Sequence, residues 1–239
     1  GCWIAGLMLS ADTHAFLTSR EWQLQPLYLA AHFITLRLFG TMFTRNFTEG
    51  VGYLDVPPAQ ARHGIWLVLG PVGALVALVL AIPFSIYEYR TLIAGDGASA
   101  GALSHRTDLL LYAMWSVEWF LIAFIWVQLV GFLLLTRWAI REYSFRAPIE
   151  IVLHDKQYRP FLRMSAQGAT IVLGFFAVNA LYTWYTGAAM TDYIGVAVTL
   201  ILLVVGFIPP WMLLTAKVDR IVSAEMTSLR HRLAVTGVL

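Results

Sequence analysis

Glu118 is a carboxylate inside a long apolar run, residues 109–136. An acid at membrane depth is energetically expensive, and such residues often mark ion or proton pathways. Glu118 is therefore the first candidate functional residue of this sequence.

Three further polar residues lie in apolar runs, where they could join Glu118. Asn179 and Thr183 occupy a later run, and Gln128 follows Glu118 in the same run. Counted at 1.5 Å per residue from Arg137 for Glu118 and from Arg163 for Asn179 and Thr183, these residues all lie about 24 to 30 Å along their helices. We predict that these three form a polar cluster at the outer edge of the hydrocarbon. Gln128 lies near the midplane, where we expect it to bond to a neighbouring helix.

A second set of candidate residues is basic and lies between two apolar runs, in residues 137–165. Aromatic residues alternate with these cations, which is typical of a segment that contacts anionic lipid headgroups, with partner docking as the second interpretation. The net charge of +2 gives no electrostatic basis for binding nucleic acid. The basic residues are Arg137, Arg141, Arg146, Lys156, Arg159 and Arg163.

Motifs for nucleotide binding, hydrolysis and metalloprotease activity are absent from the sequence. The single cysteine, Cys2, excludes a multi-cysteine metal site. The predicted spans contain no histidine, so we expect no intramembrane ligand for haem or chlorophyll, whereas bound lipid or quinone is left open. We therefore expect no catalytic residues and no metal site. An enzyme that acts at the membrane interface through Glu118, His63 or His154 stays an alternative.

The composition indicates which elements position these residues. Of 239 residues, 59% are hydrophobic and 13% are charged, and the mean hydropathy is +0.71. A soluble domain of this size would carry about twice that charge. The chain is thus predicted to be an all-α, polytopic transmembrane helical bundle. Its four predicted spans are residues 65–86, 109–136, 166–186 and 193–216.

The chain divides into three predicted parts. Residues 1–62 form an N-terminal segment in which 26–43 is apolar but carries His32 and Arg37, so we predict a helix lying at the membrane interface. A fifth span near 27–43 is the alternative, and it would place the N-terminus outside. Residues 63–216 form the four-span domain, and residues 217–239 form a cytoplasmic amphipathic helix that either packs on the bundle or docks a partner.

The distribution of Lys and Arg predicts the orientation. Most basic residues flank the second, third and fourth spans on one side, which is the cytoplasmic side by the positive-inside rule. An even number of spans then places both termini in the cytoplasm. We expect a bacterial inner membrane protein.

Small residues predict where helices approach closely. Gly70, Ala74, Ala77 and Ala81 form one stripe on the first span, and a second stripe follows on the third. Gly70-Pro71 is also expected to bend the first span. The residues of the second stripe are Ala166, Thr170 and Gly174.

These observations favour a non-enzymatic membrane subunit that scaffolds, assembles or regulates a larger complex. Its expected partners are the lipid bilayer and other membrane protein chains. The alternative is a transporter or channel subunit with a polar path that includes Glu118, Asn179 and Gln128.

Overall fold

The computed structural model describes residues 20–94, 105–146, 159–186 and 190–235, together with Ile4, Met8 and Leu17, and it describes only the backbone between 190 and 211. These residues form an all-α fold, and the β-structure among them is an isolated antiparallel bridge between Leu54 and Phe145. The helices are α1 (Arg20–Val51), α2 (Pro58–Leu69), α3 (Pro71–Ala94), α4 (His105–Glu142), α5 (Arg159–Thr186) and α6 (Met190–Val235).

Four stretches of the described residues are long and apolar enough to cross a membrane. They are Trp22–Val51, Pro58–Tyr87, Leu109–Glu142 and Arg159–Tyr182. The last three correspond to the first three predicted spans. The predicted span at 193–216 lies mostly in the part of α6 that is described by its backbone alone, and it is helical throughout. The prediction of an all-α transmembrane bundle is confirmed.

Helix α1 packs against both α4 and α5 and lies between them. Phe39, Phe43 and Phe47 are fully buried, and the rings of Phe43 and Phe132 stack with their centroids 5.0 Å apart. The interface helix predicted at 26–43 is therefore corrected. The segment belongs to a 30-residue candidate span, which is the alternative that the sequence left open.

This placement of α1 also changes the expected topology. Trp22, near the start of α1, packs with Leu111 and Met114 near the start of α4. Lys217 of α6 donates hydrogen bonds to the carbonyl oxygens of Ile140 and Tyr143 at the other end of α4. Residues 22 and 217 thus lie at opposite ends of the bundle, and the prediction that both termini share one side is not supported.

A break at Gly70 divides the second candidate span into α2 and α3. Gly70 has extended backbone angles and donates its N–H to the Trp66 carbonyl oxygen at 2.8 Å. Pro71 then starts α3, because proline lacks an N–H and suits the first turn of a helix. A Cβ on Gly70 would lie 2.4 Å from that same carbonyl oxygen, so a larger residue does not fit this bend.

One of the two predicted small-residue stripes is a packing surface. Ala77 and Ala81 of α3 are buried together with Ala123 of α4. The α5 stripe faces outward instead, since Ala166, Thr170 and Gly174 are all exposed. A Cβ on Gly174 would have no neighbour within 4 Å.

The end of the bundle near residue 145 is held together by backbone and charge contacts. The Asp55 N–H donates to the Ser144 carbonyl oxygen at 3.0 Å, and the Arg146 N–H donates to the Tyr53 carbonyl oxygen at 3.0 Å. Arg146 also forms an ion pair with Asp55 at 3.5 Å. Burial lowers the pKa of the Lys217 ammonium, which caps the C-terminal carbonyls of α4.

Helix α6 leaves the bundle at its C-terminal end. It is 46 residues long, about 69 Å at 1.5 Å per residue. Val218 and Ile221 pack against the core. Met226 and Leu229 are 44% and 48% exposed. Among the described residues, the predicted amphipathic helix therefore packs against the core through Val218 and Ile221, in its first turns.

Candidate functional site

Glu118 lies on the face of α4 that packs against α1. Its side chain is buried and accepts a hydrogen bond from Nε2 of Gln25 at 2.5 Å. Glu118 is about 11 Å along the helix from the middle of the Leu109–Glu142 span. A hydrocarbon layer about 30 Å thick extends about 15 Å from its midplane, so Glu118 would lie within this layer, near one edge. The amide of α1 therefore supplies a donor to a carboxylate that lipid could not solvate.

Gln25 connects Glu118 to helix α5. Its Oε1 accepts a hydrogen bond from the Tyr182 hydroxyl at 2.7 Å. The Tyr182 ring stacks on Tyr28 with a centroid separation of 4.1 Å, and the Tyr28 hydroxyl donates to Oδ1 of Asn179. We call Gln25, Tyr28, Glu118, Asn179 and Tyr182 the polar network. It joins α4, α1 and α5 at one level of the bundle.

His32 lies next to the polar network and is fully buried. Its Nδ1 is 2.8 Å from the Tyr28 carbonyl oxygen, which can only accept, so Nδ1 carries the proton. The ring meets Tyr28 and Phe175 edge-on, with centroid distances of 4.4 Å and 5.0 Å. Within the described part of the chain, Nε2 has no hydrogen-bond partner. The prediction that no span contains a histidine was wrong, because His32 lies in the candidate span of α1 and His63 lies in the candidate span Pro58–Tyr87, which begins before the predicted 65–86.

A layer of aromatic rings separates the polar network from the polar groups at the other end. Phe39 stacks on Phe43 at 5.1 Å, and Phe43 stacks on Phe132 at 5.0 Å. Beyond this layer, Nδ2 of Asn46 donates to Oε1 of Gln167 at 2.8 Å. The hydrogen-bonded polar groups of α1 and α5 thus form two sets, with the stacked phenylalanine rings between them along the bundle.

Gln128 lies at an intermediate depth and does not join the polar network. It is 4% exposed and faces Gly40 of α1, where a Cβ would lie 3.7 Å from either atom of the amide. Its Oε1 has no hydrogen-bond partner among the described residues. The glycine leaves room for the amide between the two helices. The predicted bond to a neighbouring helix is not seen for this oxygen.

The remaining sequence candidates have separate places. The Thr183 side chain and Lys156 lie outside the described residues. Arg137, Arg141 and Arg159 are exposed at the end of the bundle near residue 145. Arg163 pairs with Glu49 at 3.5 Å, and Arg146 donates to the Leu54 carbonyl oxygen at 3.0 Å. The last two therefore tie α5 and the segment after α4 to the end of α1.

An apolar groove borders the polar network on the outside of α1 and α5. Its volume is about 320 Å³. The groove is lined by Leu24, Leu27, Tyr28, Val178, Leu181, Tyr182, Trp184 and Tyr185.

Arg37 lies on the opposite side of α1 from His32. It is exposed, as are its neighbours Phe33 (51%), Ile34 (60%) and Leu38 (52%). It is at the middle of the Trp22–Val51 span, about 21 to 23 Å from either end. In the described ranges it has no ion pair and no side-chain hydrogen bond. We call Phe33, Ile34, Arg37 and Leu38 the Arg37 face.

Comparisons with known proteins give no family, curated relative or solved structure that matches this chain. Residues 20–94, 105–146, 159–186 and 190–235 contain no group of three or more His, Cys, Asp or Glu side chains that could hold a metal ion.

Proposed function

We propose that this chain is a non-catalytic integral membrane subunit that assembles with another membrane protein, and that the partner binds the Arg37 face. The observation that carries the proposal is an exposed guanidinium at the middle of a candidate span. In lipid, an arginine at this depth costs at least about 2.5 to 3.5 kcal/mol. A partner helix that covers it removes that cost.

Snorkelling does not explain the position of Arg37. An arginine side chain reaches about 6 Å, and the hydrocarbon extends about 15 Å on either side of the midplane. The partner we propose is a transmembrane helix with a carboxylate near the bilayer centre, because a carboxylate pairs with a guanidinium through two hydrogen bonds. The exposed apolar residues around Arg37 would pack against the rest of that helix.

The outward stripe of α5 supports the same proposal from another helix. Ala166, Thr170 and Gly174 recur every four residues and are exposed. In lipid, such small residues let a neighbouring helix approach closely. They have no such neighbour in the described part of this chain, which fits a surface left for another protein.

The transport alternative has less support from the geometry. A conducted ion or proton needs a continuous chain of polar groups, and the Phe39, Phe43 and Phe132 rings lie between the polar network and the Asn46–Gln167 pair. The members of the polar network also bond to one another across three helices. We therefore assign Glu118 and Asn179 to helix assembly within the chain.

The same proposal includes a location and an orientation. We place the protein in a bacterial inner membrane with the end that carries Arg137 and Arg141 in the cytoplasm, because basic residues concentrate on the cytoplasmic side. The start of α1 is then periplasmic and residue 235 is cytoplasmic. If the 193–216 segment also spans the membrane, the described chain crosses it five times.

The experiment is co-purification from native membranes in a mild detergent. Arg37→Leu removes the charge and makes α1 more apolar, so it should insert normally and lose the partner. Arg45→Leu is the matched control, because Arg45 is exposed on the same helix but nearer its end. We expect at least a tenfold loss of the co-purified chain for Arg37→Leu and little change for Arg45→Leu. Equal recovery of the same partner with both variants would refute the proposal.

A further inference from the structure

The C-terminal part of α6 projects from the bundle with an apolar stripe that the described chain does not cover. Val218 and Ile221 are the last α6 residues in the described chain that pack against the core. The helix continues to Val235, about 21 Å further. Met226, Leu229 and Leu233 are 44%, 48% and 43% exposed along this part.

Lipid is a poor cover for this stripe. Lys217 bonds to carbonyl oxygens at the end of α4, near the exposed Arg137 and Arg141, which we place at the cytoplasmic surface of the membrane. Helical structure is continuous from Met190 to Val235, and residues 217–235 contain no proline or glycine, so this part of α6 has no break at which it could turn and lie on the bilayer. The stripe therefore stands in water beyond the headgroups unless another protein covers it.

The spacing of the stripe is that of a coiled coil. Val222, Met226, Leu229 and Leu233 are separated by four, three and four residues. These are the d, a, d and a positions of two successive heptads, and they keep an apolar seam on one side of a helix. The positions farthest from the seam hold Ala224, Thr227 and His231.

The charges beside the seam fit a second copy in the same direction. In a parallel two-stranded coiled coil, a residue at g faces the residue five positions later, at e, of the other helix. Glu225 occupies g and Arg230 occupies that e position. Two copies would therefore form two Glu225–Arg230 pairs, one on each side of the seam.

We propose that residues 222–233 of two copies of this chain form a short parallel coiled coil at the membrane surface. Two heptads alone would be marginal in water, because short isolated helices are only weakly stable. Anchoring both helices in the same bilayer, with the same orientation, raises their effective concentration and favours pairing. This dimer is independent of the partner proposed for the Arg37 face.

Disulfide crosslinking in native membranes tests the dimer. Because Cys2 is the single cysteine of the chain, replacing it leaves an introduced cysteine as the one thiol that can react. In a Cys2→Ser background, Met226→Cys and Leu229→Cys each place the one thiol in the seam, whereas Thr227→Cys places it on the far side as the control. A disulfide needs Cα atoms about 4.4 to 6.8 Å apart, which seam positions satisfy. We expect oxidation to give at least fivefold more covalent dimer for residues 226 and 229 than for 227. Equal dimer from all three, or none from the seam variants while their thiols react with a maleimide, would overturn the proposal.

Charge reversal tests the parallel register in the Met226→Cys chain. Glu225→Arg or Arg230→Glu alone places like charges side by side and should reduce the crosslinked fraction severalfold. The two changes together restore opposite charges and should return it close to its starting value. Loss of crosslinking in the double variant as well would contradict the register, provided that the chain still reaches the membrane in normal amounts.

Discussion

Replacing Gln25 by Leu should destabilise the bundle, because Gln25 is the link between Glu118 of α4 and Tyr182 of α5. The change keeps the approximate size of the side chain and removes one donor and one acceptor. Hydrogen bonds between membrane helices average about 0.6 kcal/mol and reach about 1.7. A buried group left without a partner adds about 1 to 3 kcal/mol. We expect a loss of about 2 to 3 kcal/mol in the free energy of unfolding.

A double-mutant cycle with Glu118→Leu separates the Gln25–Glu118 bond from the other contacts of each residue. Each single variant leaves one buried group without its partner, whereas the double variant removes both groups. The double variant should therefore lose about 1 kcal/mol less unfolding free energy than the sum of the two single losses. The assay is reversible unfolding in mixed micelles by increasing SDS, followed by tryptophan fluorescence. Trp22, which is fully buried near the start of α4, makes this end of the bundle visible to the assay.

The control and the refuting result come from the same helix. Gln23 is exposed, and its side chain bonds only to the Leu17 carbonyl oxygen among the described contacts. Gln23→Leu should therefore change the unfolding free energy by less than about 0.5 kcal/mol. If Gln25→Leu is as mild as Gln23→Leu, or if the cycle is additive within about 0.5 kcal/mol, the polar network does not hold the helices together.

Three further predictions follow from the packing and the topology. Gly131→Ala should lower the free energy of unfolding by about 1 to 3 kcal/mol, because the added Cβ would lie 2.7 Å from Cγ2 of Val68. Gly174→Ala adds a Cβ that meets no atom within 4 Å, so in the same SDS assay it should leave the free energy of unfolding unchanged or raise it by up to about 1 kcal/mol. Lys217→Met should lower the free energy of unfolding by only about 1 kcal/mol, because the loss of its hydrogen bonds to Ile140 and Tyr143 is partly offset by no longer burying a charge. Hydrogen exchange of backbone amides should rise in the last turn of α4. Unchanged exchange there would contradict the capping role of Lys217. In a Cys2→Ser background, a membrane-impermeant maleimide added to intact cells should label Gln23→Cys and leave Thr227→Cys unlabelled until the cells are opened, and the reverse pattern would contradict the proposed orientation.

The sequence predicted the spans of α3, α4 and α5 well, because a run of about 20 apolar residues is the length that a helix needs to cross the hydrocarbon. It misplaced α1 because His32 and Arg37 both interrupt the apolar run. At about 100° per residue these two side chains point about 140° apart. His32 is buried against Tyr28 and Phe175, whereas Arg37 faces outward. Composition cannot distinguish a helix with one polar residue inside and one outside from a helix that lies on the surface.

The sequence predicted the candidate site only in part, again because it misplaced α1. Counting residues placed Glu118 and Asn179 at one depth, and the structure has both in the polar network. Gln25, Tyr28 and His32 were missed because they belong to α1. The position of Tyr182 near the end of a span indicates an aromatic belt at the membrane edge, since a tyrosine there is usually an anchor. Only the pairing of α1 with α5 reveals its bond to Gln25.

The small-residue stripes show a second limit of the sequence. Ala77 and Ala81 pack on α4 as predicted, whereas Ala166, Thr170 and Gly174 point away from the other described helices. The two stripes have the same spacing, so spacing alone cannot identify the partner. An inward stripe packs against another helix of the same chain, and an outward stripe is available to a helix of a different chain.

Photo-crosslinking at the Arg37 face tests most directly the claim that this chain is an assembly subunit. A photoreactive amino acid at Leu38, which is 52% exposed beside Arg37, is compared in native membranes with the same amino acid at Leu80 of α3, which is 50% exposed. We predict a discrete adduct with a second membrane protein at residue 38, its loss in an Arg37→Leu background, and lipid adducts at residue 80. Lipid adducts alone at both positions would contradict the assembly role.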